Sequence, residues 1–432
     1  MSIPRIVVVG GGAGGLELVT RLGRRLGRRG RAEIVLVDRS PTHIWKPLLH
    51  EVATGALDSG LDEIAYPSHA RANGYRFQRG TLCGLDRQRQ RLQLAAVLDD
   101  DGQEILPARE LAYDRLILAL GSVSNDFGTE GVAEHCHFID CPEQAEAFRR
   151  DMLDTFLRFS ASTQDPSPRL RVGIVGGGAT GVELAAQLYD ALLMLHSYGV
   201  TELERHQLEI SLIEAADDVL PALPARVRQA VRDELQGLGV KVHTETRVTQ
   251  IDADAIHTAD GQCIATDLAV WAAGIKAPDI LAELDLTLAK GQRLVVHDTL
   301  QNVDDPNIFA LGDCASCPQE DGGTVPPRAQ AAHQQALHLY RNLHAQLDGK
   351  PLKPFVYRDR GSLISLAHFE AIGTLMRGTS ARRLFVEGHL AKFFYISLYR
   401  LHQRAVHGNL KTGIIMLVDG LNRFIRPRLK LH

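Results

Sequence analysis

The sequence predicts an α/β chain of two parallel-sheet units, the second inserted in the first, closed by a C-terminal module of amphipathic helices. Three observations predict it. Near the start, Ile6-Val7-Val8-Val9 leads straight into Gly10-Gly11-Gly12-Ala13-Gly14-Gly15. Near the middle the device recurs, with Val172-Gly173-Ile174-Val175 leading into Gly176-Gly177-Gly178-Ala179-Thr180-Gly181. After Pro354 the character changes, and apolar residues recur at helical spacing.

Each glycine run is a strand-to-helix turn of the form G-x-G-x-x-G, carried by Gly10, Gly12 and Gly15 in the first copy and by Gly176, Gly178 and Gly181 in the second. Such glycines permit a tight turn and let a pyrophosphate approach backbone N–H groups at a helix N-terminus. Each copy is followed by an apolar strand that ends in an acid, Glu33 to Asp38 in the first and Leu208 to Glu214 in the second. An acid there accepts hydrogen bonds from a ribose hydroxyl and repels the extra phosphate of NADP. The units therefore read as Rossmann-like dinucleotide-binding domains, and two cradles imply two dinucleotides, the nicotinamide one being NADH.

In chain order, Asp38 is followed by a long insertion and then by the apolar strand Leu116 to Ser122. A helical stretch from Pro142 to Phe159 and a Pro/Ser linker from Gln164 to Arg169 lead to the second cradle, whose unit closes at Leu268 to Ile275. Asn307 to Asp313 is a further strand ending in glycine and an acid, and it returns the chain to the first unit. The expected domains are 1–124 with 280–325, then 168–279, with 125–167 connecting them and 326–432 as the C-terminal module. Within that module Gly361 to Leu366 reads as a short strand followed by two amphipathic helices. In the second helix Leu410, Ile414, Leu417, Val418, Leu421 and Ile425 share a face.

Bulk properties narrow the class. The 432 residues, 45% hydrophobic and 23% charged, are ordinary for a globular chain. The opening Met1-Ser2-Ile3-Pro4-Arg5 runs directly into the first strand, leaving no room for a signal or transit peptide. Six scattered cysteines exclude a secreted disulfide scaffold and suit a reducing interior. Net charge is −4, but eleven basic residues against Glu387 and Asp419 give the segment from Arg377 onward +9, leaving −13 for the rest. That asymmetry speaks of an anionic partner. The cluster Arg21, Arg24, Arg25, Arg28, Arg29 and Arg31 reads as a solvated helix end complementing the dipole, with no nucleic-acid site implied.

Five stretches carry a family resemblance over nearly the whole chain: His43 to Ala53 (HIWKPLLHEVA), Gly178 to Ala185 (GATGVELA), Trp271 to Ile275 (WAAGI), Ala310 to Asp313 (ALGD) and Ala329 to Gln334 (AQAAHQ). They resemble the type II NADH dehydrogenases, single-subunit NADH:quinone oxidoreductases that pump no protons, within the two-dinucleotide-binding flavoproteins. The resemblance implies FAD in the first cradle (Gly10, Gly12, Ala13, Gly14, Gly15, Asp38), with Asp313 on its ribityl chain. It implies NADH in the second cradle, with Glu214. Arg39, Lys46, Pro47, Gly121 and Gly274 complete the expected cofactor-binding positions. Glu183, in the first turn of the second cradle's helix, would lie near the nicotinamide and flavin rings and act catalytically. Ala329 and Gln330 would meet the flavin's pyrimidine edge and the quinone head-group. His333, one turn on, offers a titratable imidazole to a quinone that needs two protons. No metal is expected, and Cys314-Ala315-Ser316-Cys317 reads as structural.

The implied partners are a membrane quinone (ubiquinone or menaquinone), an anionic membrane surface and a second copy of the chain. The longest wholly apolar stretches, such as Ile414 to Val418, fall far short of a spanning helix of ~20 residues. The tail, with Leu390, Phe393, Phe394, Leu398 and Leu401 as an aromatic-rich face, is expected to lie on the cytoplasmic side of the cell inner membrane. Two alternatives remain open: a soluble NADH-dependent reductase of a small redox protein, and a sulfide:quinone oxidoreductase using Cys136 or Cys141 with Cys314 or Cys317.

Overall fold

The computed structural model describes residues 3–162, 168–197, 204–366, 370–376 and 383–425. Most of the expected linker, and Arg377, Arg382, Arg426, Arg428 and Lys430 of the basic tail, lie outside the described residues, as do the side chains of Leu390, Phe393, Phe394 and Ile425. The elements that position the site are, in order, β1 (Arg5–Val9), α1 (Ala13–Leu22), β2 (Glu33–Asp38), α2 (Leu49–Thr54), β3 (Arg76–Arg79), β4 (Arg115–Leu118), β5 (Cys136–His137) and α3 (Pro142–Ser162). They continue with β6 (Leu170–Val175), α4 (Ala179–Ser197), β7 (Leu208–Ile213), α5 (Ala225–Leu238), β8 (Lys241–His243), β9 (Leu268–Trp271) and β10 (Ile308–Ala310). The C-terminal part holds α6 (Ala329–Leu347), β11 (Gly361–Leu366), β12 (Glu370–Met376), β13 (Arg383–Glu387), α7 (Gly388–His407) and α8 (Asn409–Ile425).

Two five-stranded sheets, ordered β10-β4-β1-β2-β3 and β5-β9-β6-β7-β8, are parallel throughout. Parallel sheets are covered on both faces, so their central strands are continuous apolar runs and not alternating ones. Val7, Val8, Ile117, Leu36 and Phe309 are fully buried in the first sheet, and Ile174, Ile210, Leu212 and Val270 in the second. In both, the cradle strand is central, the acid-bearing strand lies on one side and a later strand on the other. Helix α1 buries Leu16, Leu18, Val19 and Leu22, and α6 packs along it.

The glycines of each turn answer to packing. Gly10 and Gly176 have φ of +100° and +113°, a region where side chains are strained. A Cβ on Gly15 would overlap the Gly10 carbonyl oxygen, and one on Gly181 that of Gly176, so helix and strand meet backbone to backbone.

The C-terminal part differs from the expectation of one strand followed by helices. β11, β12 and β13 form an antiparallel sheet before α7 begins. β12 was illegible because Ala371, Ile372, Gly373 and Thr374 are all buried, between sheet neighbours and under α5 and α7. A strand covered on both faces, in which Gly373 and Thr374 interrupt the apolar residues, shows neither clean alternation nor a continuous apolar run. Helix α7 packs on this sheet and also reaches α1, whereas α8 leans mainly on α7.

Two glycine substitutions should move stability in opposite directions. Gly181→Ala places its Cβ against backbone that cannot yield and should lower stability by about 2 kcal/mol. Gly237→Ala, on the exposed side of α5 with no atom near the new Cβ, should raise it by about 0.5–1 kcal/mol. Urea midpoints measured on the two variants check both signs.

Candidate functional site

The two turns are clasped alike. Asp38 Oδ2 accepts the Gly11 N–H at 2.6 Å while its other oxygen accepts the Ser40 N–H. Glu214 Oε2 accepts the Gly177 N–H at 2.7 Å while its other oxygen accepts the Ala216 N–H. Burial pushes the Asp38 carboxyl up, with the Gly11 and Ser40 amides pulling against it. Between the clasped glycine and the helix sit Gly12 and Gly178, where an added Cβ would meet no protein atom. Each turn thus keeps a gap beside its helix N-terminus, bordered by a carboxylate. A dinucleotide fits both: pyrophosphate on the N–H groups, ribose on the acid.

Beside the first turn, Lys46 Nζ donates to the Ser122 carbonyl at 2.7 Å and lies 3.1 Å from Asp140, with Pro47 in the short turn that follows. Ser122 Oγ donates to Asp313 Oδ2 at 2.8 Å, joining the ends of β4 and β10. Gly121 and Gly312, with φ of +71° and +75°, turn the chain at these same strand ends. Arg39 is exposed at the end of β2. In the second unit Gly274 has φ +63°, and the Trp271 indole donates to the Asn125 carbonyl at 2.8 Å.

Glu183, buried in the first turn of α4, is the most perturbed acid of the site. Desolvation pushes its carboxyl up to about 8, against the pull of the Ser365 N–H, which donates to Oε1 at 2.9 Å from β11. His50 Nδ1 lies 3.6 Å from the other oxygen, beyond hydrogen-bond reach. Burial pushes that imidazole down to about 4, so at neutral pH this is a neutral acid beside a neutral base and not an ion pair. His50 Nε2 and the Tyr395 hydroxyl are buried without a hydrogen-bond partner among the described residues. Burial, then the nearby Glu183 and Glu51 charges, raises the Tyr395 phenol well above its ordinary value. Unpartnered buried polar atoms are rare and mark places where a bound group completes the bonding.

Helix α6 begins at Ala329. The Gln330 side chain turns toward the chain ahead of β11: its Oε1 accepts the Tyr357 hydroxyl and the Arg360 N–H, each at 3.0 Å, and its Nε2 faces the Gly361 carbonyl at 3.5 Å. His333 faces α1, with Nδ1 2.6 Å from Glu17. Gln330 and His333 thus carry different environments although one turn of helix separates them.

The C-terminal module is fastened over the site by rings. His43 and His402 meet Nε2 to Nε2 at 3.0 Å, and burial pushes them down to about 4 and about 3, so both are neutral and one donates to the other. Trp45 stacks on Tyr399 and on His402, with centroids 5.4 and 5.8 Å apart. The sequence reading gave His50, Tyr395, Ser365 and His402 no role. His50 stood inside HIWKPLLHEVA and was open to notice; the others belong to elements whose placement sequence spacing does not reveal. The six cysteines are free thiols. Burial pushes Cys314 up to about 11 and Cys136 and Cys317 up to about 12, which disfavours the thiolate that disulfide chemistry needs.

A sequence profile described as pyridine nucleotide-disulphide oxidoreductase matches residues 4–336. The chain is 45% identical to the type II NADH:quinone oxidoreductase of Haemophilus influenzae, over 99% of each protein. It is 28% identical to the type II NADH:quinone oxidoreductase of Staphylococcus aureus, over 85% of this chain and 89% of that one. Among solved structures, NDH2 from Plasmodium falciparum in complex with NADH superposes with a TM-score of 0.83, at 18% identity, covering 99% of this chain and 100% of the other.

Two predictions belong to this geometry. An acid whose folded-state value is raised favours the folded state at low pH: that stabilisation is complete below its ordinary value of 4.5 and is lost as pH climbs through about 8. Wild-type protein without NADH should therefore lose thermal stability between about pH 5 and about pH 8 more steeply than Glu183→Gln, as melting curves across that range will show. Gly178→Ala should fold normally, since its Cβ meets no protein atom, yet weaken binding of the dinucleotide that fits this turn about tenfold by filling the gap, read by fluorescence titration with NADH.

Proposed function

The chain belongs to the pyridine nucleotide-disulphide oxidoreductases and, among them, to the type II NADH:quinone oxidoreductases, and from this we propose how its residues divide the work. The enzyme carries electrons from NADH through a flavin to quinone. The observation that supports the division best is the pair of matching clasped turns at the ends of two parallel sheets, with buried Glu183 at the start of the helix that follows the second.

The sheet containing β1 holds FAD, with Gly10, Gly12, Gly15 and Asp38 on its adenosine diphosphate half and Asp313 on its ribityl chain. The sheet containing β6 holds NADH on Gly176, Gly178, Gly181 and Glu214. The domain boundaries are those read from the sequence. Bound there, FAD would supply the redox chemistry between NADH and quinone, and the chain's own residues would position the partners, exclude water and manage protons. Glu183 stays protonated at neutral pH and can hold one of the protons that a hydroquinone requires. The Ser365 N–H fixes that carboxyl, while His50 and Tyr395, close to it, offer unpartnered buried polar atoms to a bound group. Quinone enters on the side of α6 and the C-terminal module, past Gln330, whose amide is held in place by Tyr357 and the Arg360 N–H.

Delivery of a bilayer-dissolved quinone needs contact with the membrane. Along α8, Leu410 is 81% exposed, Leu417 68% and Leu421 56%, a row of leucines with no covering partner in the described chain. Among the described residues no helix is long and apolar enough to cross a membrane. A helix apolar on one side, in a segment with a +9 excess, suits an anionic surface. The enzyme accordingly sits peripherally on the cytoplasmic side of the inner membrane, with the C-terminal module also joining two copies into a homodimer.

Leu410→Asp/Leu417→Asp should abolish co-sedimentation with phosphatidylglycerol-containing vesicles while sparing most turnover with a water-soluble short-chain quinone. Unchanged vesicle binding would remove α8 from the membrane, and its apolar face would then belong to the contact between copies.

A further inference from the structure

Two of the arginines at the end of α1 do not simply face solvent. A cavity of about 370 Å³ lies where α1, α6, α7 and the start of α8 converge, and Arg21, Arg24, Arg360 and Arg404 line it together with His333. No aspartate or glutamate is among its lining residues. Glu17, fully buried and bound to two of the lining residues, is already engaged on both oxygens: Oε1 by Arg21 at 2.7 Å and Oε2 by His333 at 2.6 Å. Arg24 is satisfied by neutral oxygens only, donating from Nε to Asn73 Oδ1 at 2.7 Å and from Nη2 to the Val406 carbonyl at 2.6 Å. Burial, then the charges of Arg28 and Arg21, pushes its guanidinium down from its ordinary value. Among the described residues the side chains of Arg360 and Arg404 have no ion-pair partner.

The half-buried Arg21 and Arg24 repel each other and the exposed Arg360 and Arg404, the latter pair being more screened by water. One carboxylate cannot balance four of them, and the arrangement is offset when a multivalent anion accepts their forked N–H groups. We propose that this cavity is a binding site for a phosphate group, separate from both dinucleotide cradles. Its rim matches a phosphate ester of a lipid: Leu337 and Leu401 supply apolar wall, and Asn409 opens directly onto α8, whose exposed leucines begin at Leu410. A headgroup seated on the arginines would leave its acyl chains along that apolar face. A free phosphate anion would use the same arginines without the face. The inference rests on the cavity alone and would stand if the quinone reading failed.

The test uses the full chain with its flavin, and titrates it by calorimetry with short-chain phosphatidylglycerol below its micelle concentration and, separately, with inorganic phosphate. Two double variants remove equal charge from exposed arginines: Arg360→Gln/Arg404→Gln in the cavity lining, and Arg25→Gln/Arg29→Gln at the same basic helix end but outside that lining. We expect saturable binding that the first pair weakens about tenfold or more and the second leaves within about twofold. Tighter binding of the lipid than of phosphate identifies a headgroup site, and equal binding a site for free phosphate anions. Flavin absorbance and melting temperature verify folding, and Arg404→Gln alone serves if the pair does not fold. Absence of saturable binding by both ligands, or equal weakening by the two double variants, would overturn the proposal.

Discussion

The clasp between a strand-end carboxylate and the amide of the glycine across from it is the interaction on which the rest depends. Asp38 on Gly11 and Glu214 on Gly177 tie the acid-bearing strand to the turn before each helix. That bond holds the turn open in a conformation that only glycine adopts comfortably, and it aims the helix N-terminus at the gap beside Gly12 or Gly178. Because the same solution is used twice, both cofactor gaps open at the C-terminal ends of parallel strands, where such sheets bind ligands.

The second dependence is on closure by the C-terminal module. Glu183 is a poor acid chiefly because it is dry, with the nearby Glu51 charge adding to the effect, and part of what surrounds it comes from β11 and α7, remote in sequence. The Ser365 amide touches it directly, and α7 is pinned in place by the neutral His43–His402 pair and by Trp45 stacked against Tyr399 and His402. The segment HIWKPLLHEVA therefore serves two ends. Its His43 and Trp45 anchor the module, and its Lys46 and His50 lie against Ser122 with Asp140 and against Glu183. Helix α7 leads on to the bare leucines of α8, so that exposed apolar row and the buried Glu183 carboxyl are joined through one connected piece of chain.

Much of this was legible in the chain. Strand, glycine turn, helix, strand and acid recur in an order whose physical reasons are local, so the cradle residues could be named before any coordinates. The charged, amphipathic tail was legible too, because helical periodicity survives where one face is left uncovered. What escaped was non-local. β12 mixes apolar residues with Gly373 and Thr374, is buried on both faces and gives no periodic signal. Tyr395 and Ser365 acquire meaning only when the sheet and helix that carry them fold back on α4. The arginines of α1 looked like a solvated helix end, and only the return of Arg360 and Arg404 from the C-terminal part turns two of them into a lining.

The measurement that bears most directly on the central claim, that electrons enter from NADH at one cradle and leave to quinone from the flavin at the other, is anaerobic stopped-flow absorbance of the bound flavin. The full chain would be mixed first with NADH or NADPH and then with a short-chain quinone. The account predicts rapid bleaching by NADH, much slower bleaching by NADPH because of the Glu214 carboxylate, and full return of colour on adding quinone. Flavin that bleaches with NADH but stays bleached in the presence of quinone would contradict it.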